Sequence, residues 1–343
     1  MPKVGLIGYF NSGAYSDDLI EYVTKSLLLE QRPDLAFDSN LMFSPRASDP
    51  AYLNSFDLLV HCGGSLLGKC THPPVRDIAR WAGKVKTPLA VFGIGYRYEP
   101  DKEPLAPEMR ERVRLLFEKA GMVSVRGKYT VQHLKENGLD ISKISSLADP
   151  VMACDIPLDM NPINIVGNVR DMPQVEVQHI STERVHSLLA ECYDWLIEKY
   201  ELPLLLVSWR TNLNTDNDAS GAYKVTKLMR NKGSMSVIAP PNYYVAAKSV
   251  GHARFYFGQR LHPTILAAAR GVPFVGLEYQ FDKMLDWAST VGIDNVIDTR
   301  DATLDSFIEA HGRAEVNTVR LREALPAKVA EIKATAKMIV ELI

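Results

Sequence analysis

The chain has 343 residues, 46% of them hydrophobic and 23% charged, with a formal net charge of −2. That length is more than one hydrophobic core usually organises and points to two domains, while the balanced charge argues against a protein that coats nucleic acid. Cys62, Cys70, Cys154 and Cys192 form no CxxC pair and no Cys/His cluster, so structural zinc and a disulfide framework are not expected.

The opening "MPKVGLIGYF" has no long apolar core followed by a cleavage site, and no signal peptide is read there. The most apolar run, "ELPLLLVSW", is too short to cross a bilayer. A cytoplasmic location follows as the expectation, compatible with peripheral contact at the inner face of the membrane. From the N-terminus, continuous apolar runs at residues 3–10, 56–64, 88–95 and 122–127 end in glycine or polar residues. Such runs suit parallel strands covered on both faces. Helical stretches at 17–31, 75–82 and 106–120 alternate with them, which predicts a doubly wound α/β sheet.

Residues 147–162, "LADPVMACDIPLDMNP", carry three prolines and little periodicity, and read as the connection between domains. Strands then follow near "INIVGNV", "PLLLVSW", "MSVIAP", "RFYFG", "PFVGLEY" and "NVIDT". Helices are predicted near 182–200, 221–231, 243–250, 263–270, 283–291 and 304–310. In the tail, Leu325, Val329, Ile332, Ala336, Ile339 and Ile343 recur at spacings of three and four, one apolar helical face. The division read from this pattern is an N-terminal Rossmann-like domain (1–155), a C-terminal one (156–324) and an amphipathic helix (325–343). In open α/β sheets ligands bind beyond the carboxyl ends of the strands, so two such domains are expected to face each other across a cleft lined by strand-end residues.

The stretch "GQRLHPTILAAARG" holds the densest chemistry. Arg260 and His262 fall between a strand and a helix, with Pro263 placed as the first helical residue. Unpaired N–H groups at a helix start favour an anion. Arginine adds a planar fork suited to phosphate or carboxylate, and an imidazole can pass a proton near neutral pH. The alternative is structural: His262 packs and Arg260 pairs with an acidic neighbour. Arg126, Arg170 and Arg210 are further strand-end cations, each able to serve as an ordinary ion-paired residue. Gly63, Gly64 and Ser65, in the loop "HCGGSLLGKCTHPP", could bring backbone and a hydroxyl close to a ligand. That loop lacks the GK[ST] ending of a P-loop, and no GxGxxG, GxSxG, HExxH or EF-hand pattern occurs.

Taken together, "GYFNSGAYSDDLI", "FDLLVHCGGSLL", "VSVRGKYTVQHLKENG", "LADPV" and "RLHPTILAAARGVPFVGLEYQFDK" resemble the polysaccharide pyruvyl transferase family. In that family an Arg-x-His before an alanine-rich helix is followed by Gly-x-Pro, a tyrosine and a lysine; here these are Arg260, His262, Gly271, Pro273, Tyr279 and Lys283. The resemblance implies a GT-B-like fold and transfer of pyruvate from phosphoenolpyruvate to a sugar as a ketal. It makes Arg260 a phosphate binder and His262 the acid/base, with Arg126 matching a first-domain arginine that serves the donor. Arg126 or Arg170, as strand-end cations, would take the other end of the donor, and Lys283 is a further expected donor contact. Asn11, Gly13, Gly63, Gly64, Ser65, His72 and Tyr279 are the expected acceptor contacts. The acceptor would be a sugar, oligosaccharide or lipid-linked saccharide, with no metal or cofactor. Two features depart from the family: Asp17 is displaced in "NSGAYSDD", and Cys62 replaces the first residue of a glycine triplet. Both lie on the acceptor side. The competing readings are a GT-B glycosyltransferase using a nucleotide sugar, and a non-catalytic carbohydrate- or anion-binding protein.

Overall fold

The computed structural model describes residues 1–67, 73–96, 105–171, 180–212, 216–279 and 282–343. They form two compact units: Met1–Asn11, Ile20–Ala153 and Ala327–Ile343 make the first, Ser12–Leu19 and Cys154–Pro326 the second. Among the described residues each unit holds one six-stranded parallel sheet.

In the first unit the strands are β1 (Lys3–Ile7), β2 (Ala36–Asp38), β3 (Leu58–Cys62), β4 (Leu89–Ile94), β5 (Met122–Arg126) and β6 (Ile144–Leu147). Their spatial order is β2-β1-β3-β4-β5-β6. The connections carry α1 (Tyr15–Gln31), α2 (Pro50–Leu53), α3 (Pro73–Arg76), α4 (Ile78–Trp81), α5 (Pro107–Lys119) and α6 (Lys128–Glu136). β3 and β4 are buried along their whole length. That is why they read as unbroken apolar runs, since a strand covered on both faces has no solvent side to mark with polar residues. β2 and β6, at the two edges, did not stand out in the sequence: "AFD" and "ISSL" are short and only partly buried.

The second unit has β7 (Asn164–Asn168), β8 (Leu204–Val207), a small antiparallel pair β9 (Thr211–Asn212) and β10 (Asp216–Asn217), then β11 (Met235–Ile238), β12 (Ala253–Gly258), β13 (Phe274–Glu278) and β14 (Val296–Asp298). The main sheet runs β11-β8-β7-β12-β13-β14. Relabelled by its own sequence order this is 3-2-1-4-5-6, the doubly wound Rossmann order. Its helices are α7 (Thr182–Tyr200), α8 (Asp218–Leu228), α9 (Tyr243–Ser249), α10 (Leu261–Ala269), α11 (Lys283–Val291) and α12 (Leu304–Val340). α7 supplies Val185, Leu189, Cys192, Tyr193 and Leu196 to a core completed by Phe255, Phe257 and Phe307. α7 is capped at its start by Ser181, whose hydroxyl accepts the Arg184 N–H.

Three expectations are corrected. Residues 12–19 belong with the second unit: Ala14 bridges Arg210, and the Tyr15 N–H and hydroxyl donate to the Trp209 and Pro240 carbonyls (2.9 and 2.7 Å). The C-terminal helix begins at Leu304, not 325, because residues 311–324 contain no strong breaker after Gly312. Pro326 sits exposed inside the helix without ending it. Residues 327–343 belong to the first unit, where Ile332, Ala336 and Ile339 of the predicted apolar face are fully buried. Third, α10 starts at Leu261 with Arg260 as its N-cap, so Pro263 is its third residue and not its first. Proline is tolerated there because the N–H groups of the first turn have no intrahelical acceptor. No described helix is long and apolar enough to cross a membrane.

His311, on α12, stacks on Phe255 (4.6 Å between ring centroids), and its Nε2 lies 2.8 Å from the Tyr200 hydroxyl. Burial, helped by the nearby Lys199 charge, pushes the imidazole down to about 4. Between about pH 4 and the ordinary histidine value near 6.5, the unfolded chain then binds a proton that the native state does not. This contribution to stability is complete at pH 7 and is lost as the pH falls through that window. Urea titrations at pH 7 and pH 5 should show a smaller pH-dependent loss for His311→Phe than for the wild type. An equal loss in both would remove His311 as the cause.

Candidate active site

The connections from a doubly wound sheet leave to opposite faces at one place, and the gap opened there is the usual ligand site. In the second unit that place lies between β7 and β12, which pair in parallel with Asn168 opposite Gly258. Arg170 and Arg260 each stand two residues beyond that pair. The two arginines therefore leave adjacent strands at the same level, beside the start of α10.

Their backbones are held by crossed amides. The Asn168 Oδ1 accepts the Arg260 N–H (3.2 Å), and the Gln259 Oε1 accepts the Arg170 N–H (2.9 Å). Both amide side chains are completely buried. Asn168 can lie across the strand end because position 258 is glycine: a Cβ there would come within 2.0 Å of the Asn168 Oδ1 and 2.8 Å of the Tyr256 hydroxyl. Tyr256 donates to that same Oδ1 (2.9 Å), and burial raises its phenol well above the ordinary value. Gly258→Ala should displace Asn168 and cost about 1–3 kcal/mol, read from the urea midpoint. A midpoint equal to wild type would mean that the strand end has slack the geometry does not show.

The guanidinium groups are directed as well. Asp218, the first residue of α8 and fully buried, takes the Arg260 Nη2 at 2.5 Å and its Nε at 3.2 and 3.3 Å. The same carboxylate accepts the Trp209 N–H (2.9 Å). The acidic partner foreseen as an alternative thus exists. It leaves Arg260 at the strand end and fixes the plane of its fork. Arg170 donates through Nη1 to the Tyr279 hydroxyl (2.7 Å), with its guanidinium 4.8 Å from that ring's centroid. Tyr279, expected among the acceptor contacts, is therefore placed beside Arg170 on this sheet.

His262 is the second residue of α10 and 6% exposed. Lys283 opens α11, where the buried Glu278 carboxylate accepts the Met284 and Leu285 N–H groups. Arg210 follows Trp209, and its carbonyl accepts the Asp218 N–H (3.1 Å). Of the expected donor residues, Arg170, Arg260, His262 and Lys283 all sit at the carboxyl end of the second sheet or on the helices leaving it.

The first sheet has its own reversal between β1 and β3, and Asn11, Gly63, Gly64 and Ser65 follow those two strands. Gly63 and Gly64 both adopt positive φ (85° and 62°), which glycine alone reaches without strain. Gly13 lies among the residues grouped with the second unit. Arg126, at the end of β5, pairs with the buried Asp149 (2.5 Å) and donates to the Ser65 hydroxyl (3.0 Å). Three separate stretches, "GGSLL", "VSVRG" and "LADPV", thereby meet in one buried polar cluster. His72 lies outside the described residues.

Asn168, Asp218, Gln259 and Asp149 were not picked out as site residues. Asn168 and Gln259 carried a faint signal, since each is an amide at the end of an otherwise apolar strand. Asp149 lay in a quoted stretch without a role. Asp218 had no local mark beyond its place at a helix start.

Solved structures share this fold at low identity. UDP-GlcNAc 2-epimerase from Neisseria meningitidis, bound to UDP-GlcNAc, superposes with a TM-score of 0.57 at 11% identity, covering 100% of this chain and 99% of that one. HepE from Anabaena in complex with UDP gives 0.55 at 12%, covering 100% of both. The UDP-GlcNAc 2-epimerase of Methanocaldococcus jannaschii gives 0.53 at 13%, covering 91% of this chain and 92% of that one. They establish the architecture as two Rossmann-like domains of GT-B type. No match is found among curated proteins. The model of the polysaccharide pyruvyl transferase family matches residues 15–280, which include both arginine-bearing strand ends of the second sheet and the Arg126 cluster of the first, and the chain belongs to that family of transferases.

Proposed function

We propose that the protein transfers pyruvate from phosphoenolpyruvate to two hydroxyls of one sugar, forming a ketal and releasing phosphate. What supports this reading, beside the family, is the pair Arg170 and Arg260 at one level of two adjacent strands, next to the α10 N-terminus. Phosphoenolpyruvate carries a phosphate and a carboxylate, and a site for it needs two cations at a set spacing. In the reaction the methylene carbon takes a proton and the central carbon becomes electrophilic. One sugar hydroxyl adds there, the carbon–oxygen bond to phosphate breaks, and the second hydroxyl closes the ring. Of the two hydroxyl protons, one ends on the new methyl group and the other leaves with phosphate. Arg260 and the helix start hold the phosphate, Arg170 and Lys283 the carboxylate end, and His262 carries the proton. Arg126 is kept as a further donor contact, and Asn11, Gly13, Gly63, Gly64, Ser65 and Tyr279 as acceptor contacts. The balance needs no metal or redox cofactor. In this reading the reaction takes place in the cytoplasm, on a sugar of a polysaccharide or of its free or lipid-linked precursor.

The test is phosphate release from phosphoenolpyruvate over a panel of hexosides and lipid-linked saccharides, with UDP-sugars as competing donors. Acceptor-dependent release, together with thermal stabilisation by phosphoenolpyruvate but not by UDP-sugars, is the expected result. Stabilisation by a UDP-sugar alone would transfer the site to a glycosyl donor. Binding of saccharides with no turnover of any donor would make the protein a carbohydrate-binding one.

A further inference from the structure

We infer that Asn168 and Gln259 form a reciprocal clamp that sets the spacing of Arg170 and Arg260, so that the site selects ligands with two anionic groups over ligands with one. The inference rests on the reading above that both arginines face one donor.

Each strand end uses its buried amide to hold the backbone of the other strand's arginine: Asn168, ending β7, takes the Arg260 N–H, and Gln259, following β12, takes the Arg170 N–H. Parallel strands separate past their last ladder bond, so nothing in the sheet itself fixes the distance between residues 170 and 260. These two bonds restore that connection one step beyond the ladder. The orientation of Asn168 follows from its neighbours, since its Oδ1 takes two donors, Tyr256 Oη and the Arg260 N–H. Turning the amide over would set its NH₂ against the Arg260 N–H, which can only donate, and its Nδ2 has no partner among the described residues. A buried amide left half-satisfied in this way is better explained by a positional task than by stability alone. Beyond the clamp, Asp218 and Tyr279 direct the two guanidinium groups, so that the backbone spacing is passed on to the side chains. Asn168 and Gln259 are therefore positioning residues.

A misplacement of about 1 Å can cost a two-point ligand up to about 10²-fold, while a single anion can follow one arginine. The experiment measures binding of phosphoenolpyruvate and of inorganic phosphate by calorimetry to the full chain, the Asn168→Ala and Gln259→Ala variants, and Asn168→Asp and Gln259→Glu, which keep an acceptor oxygen. Gln259→Met keeps the volume without the oxygen and serves where the alanine variant does not fold. In the acceptor-deleted variants the ratio of phosphoenolpyruvate to phosphate affinity should fall about ten-fold or more, and the acidic variants should restore the ratio even where their charge weakens both ligands. An unchanged ratio, or equal losses for both ligands, in folded variants overturns the clamp and leaves the donor assignment standing. A wild-type protein that binds neither ligand overturns both.

Discussion

Replacing His262 with alanine is expected to lower turnover by about 10²–10⁴-fold, the usual contribution of a positioned proton carrier. The imidazole stands in the first turn of α10, two residues from Arg260, so in the proposed reaction a proton carried by it would be delivered beside the donor phosphate assigned to Arg260. His262 is 6% exposed, and the alanine variant also leaves a small void. His262→Gln fills most of that void and retains hydrogen-bonding groups, but it cannot exchange a proton near neutral pH. The two variants should therefore lose turnover alike while differing in thermal midpoint. Phosphoenolpyruvate affinity, read by calorimetry, should change far less than the rate. A folded glutamine variant turning over at the wild-type rate would take His262 out of the chemistry.

Removal of the Asp218 carboxylate should give the second large effect, this time on stability. Its partner Arg260 has only 11% of its side chain exposed, and Asp218 itself is fully buried. Asp218→Ala takes from a nearly buried guanidinium the carboxylate paired with it, and from the Trp209 N–H its acceptor. Breaking a buried pair in this one-sided way costs about 3–5 kcal/mol. Urea denaturation measures it, with an unchanged slope marking a change in stability and not in the extent of unfolding. In Asp218→Ala combined with Arg260→Met the stranded charge is gone, and much of the lost stability should return. A single variant within about 1 kcal/mol of wild type, or a double variant as unstable as the sum of the two changes, would show that the pair is not coupled as its geometry indicates.

The contrast between those two residues marks how far the sequence could be followed. His262 and Arg260 were legible because they break an apolar stretch at a strand-to-helix junction, a purely local irregularity. Asp218 lies 42 residues from Arg260 along the chain, and nothing near either one announces the other. The same holds for Arg126 with Asp149 and for Arg170 with Tyr279, pairs whose members come from different strand ends. Tyr279 stands beside Arg170 because β13 is hydrogen-bonded to β12, which in turn flanks β7.

Central strands could be read from the chain alone, because burial on both faces demands continuous apolar runs. Helix ends were less certain: the start of α10 and the full reach of α12 depended on packing that propensity does not encode. By itself, then, the amino-acid order determined the α/β class, the repeat of that class in two domains, and the junction at which an arginine and a histidine interrupt the scaffold. Tertiary structure decided which strands are neighbours, and hence that Arg170 and Arg260 leave the sheet side by side with crossed amides holding them. The physical reason is that strand order in a parallel sheet is set by how covered faces and crossover helices pack, an energy shared over the whole sheet and written at no single position in it.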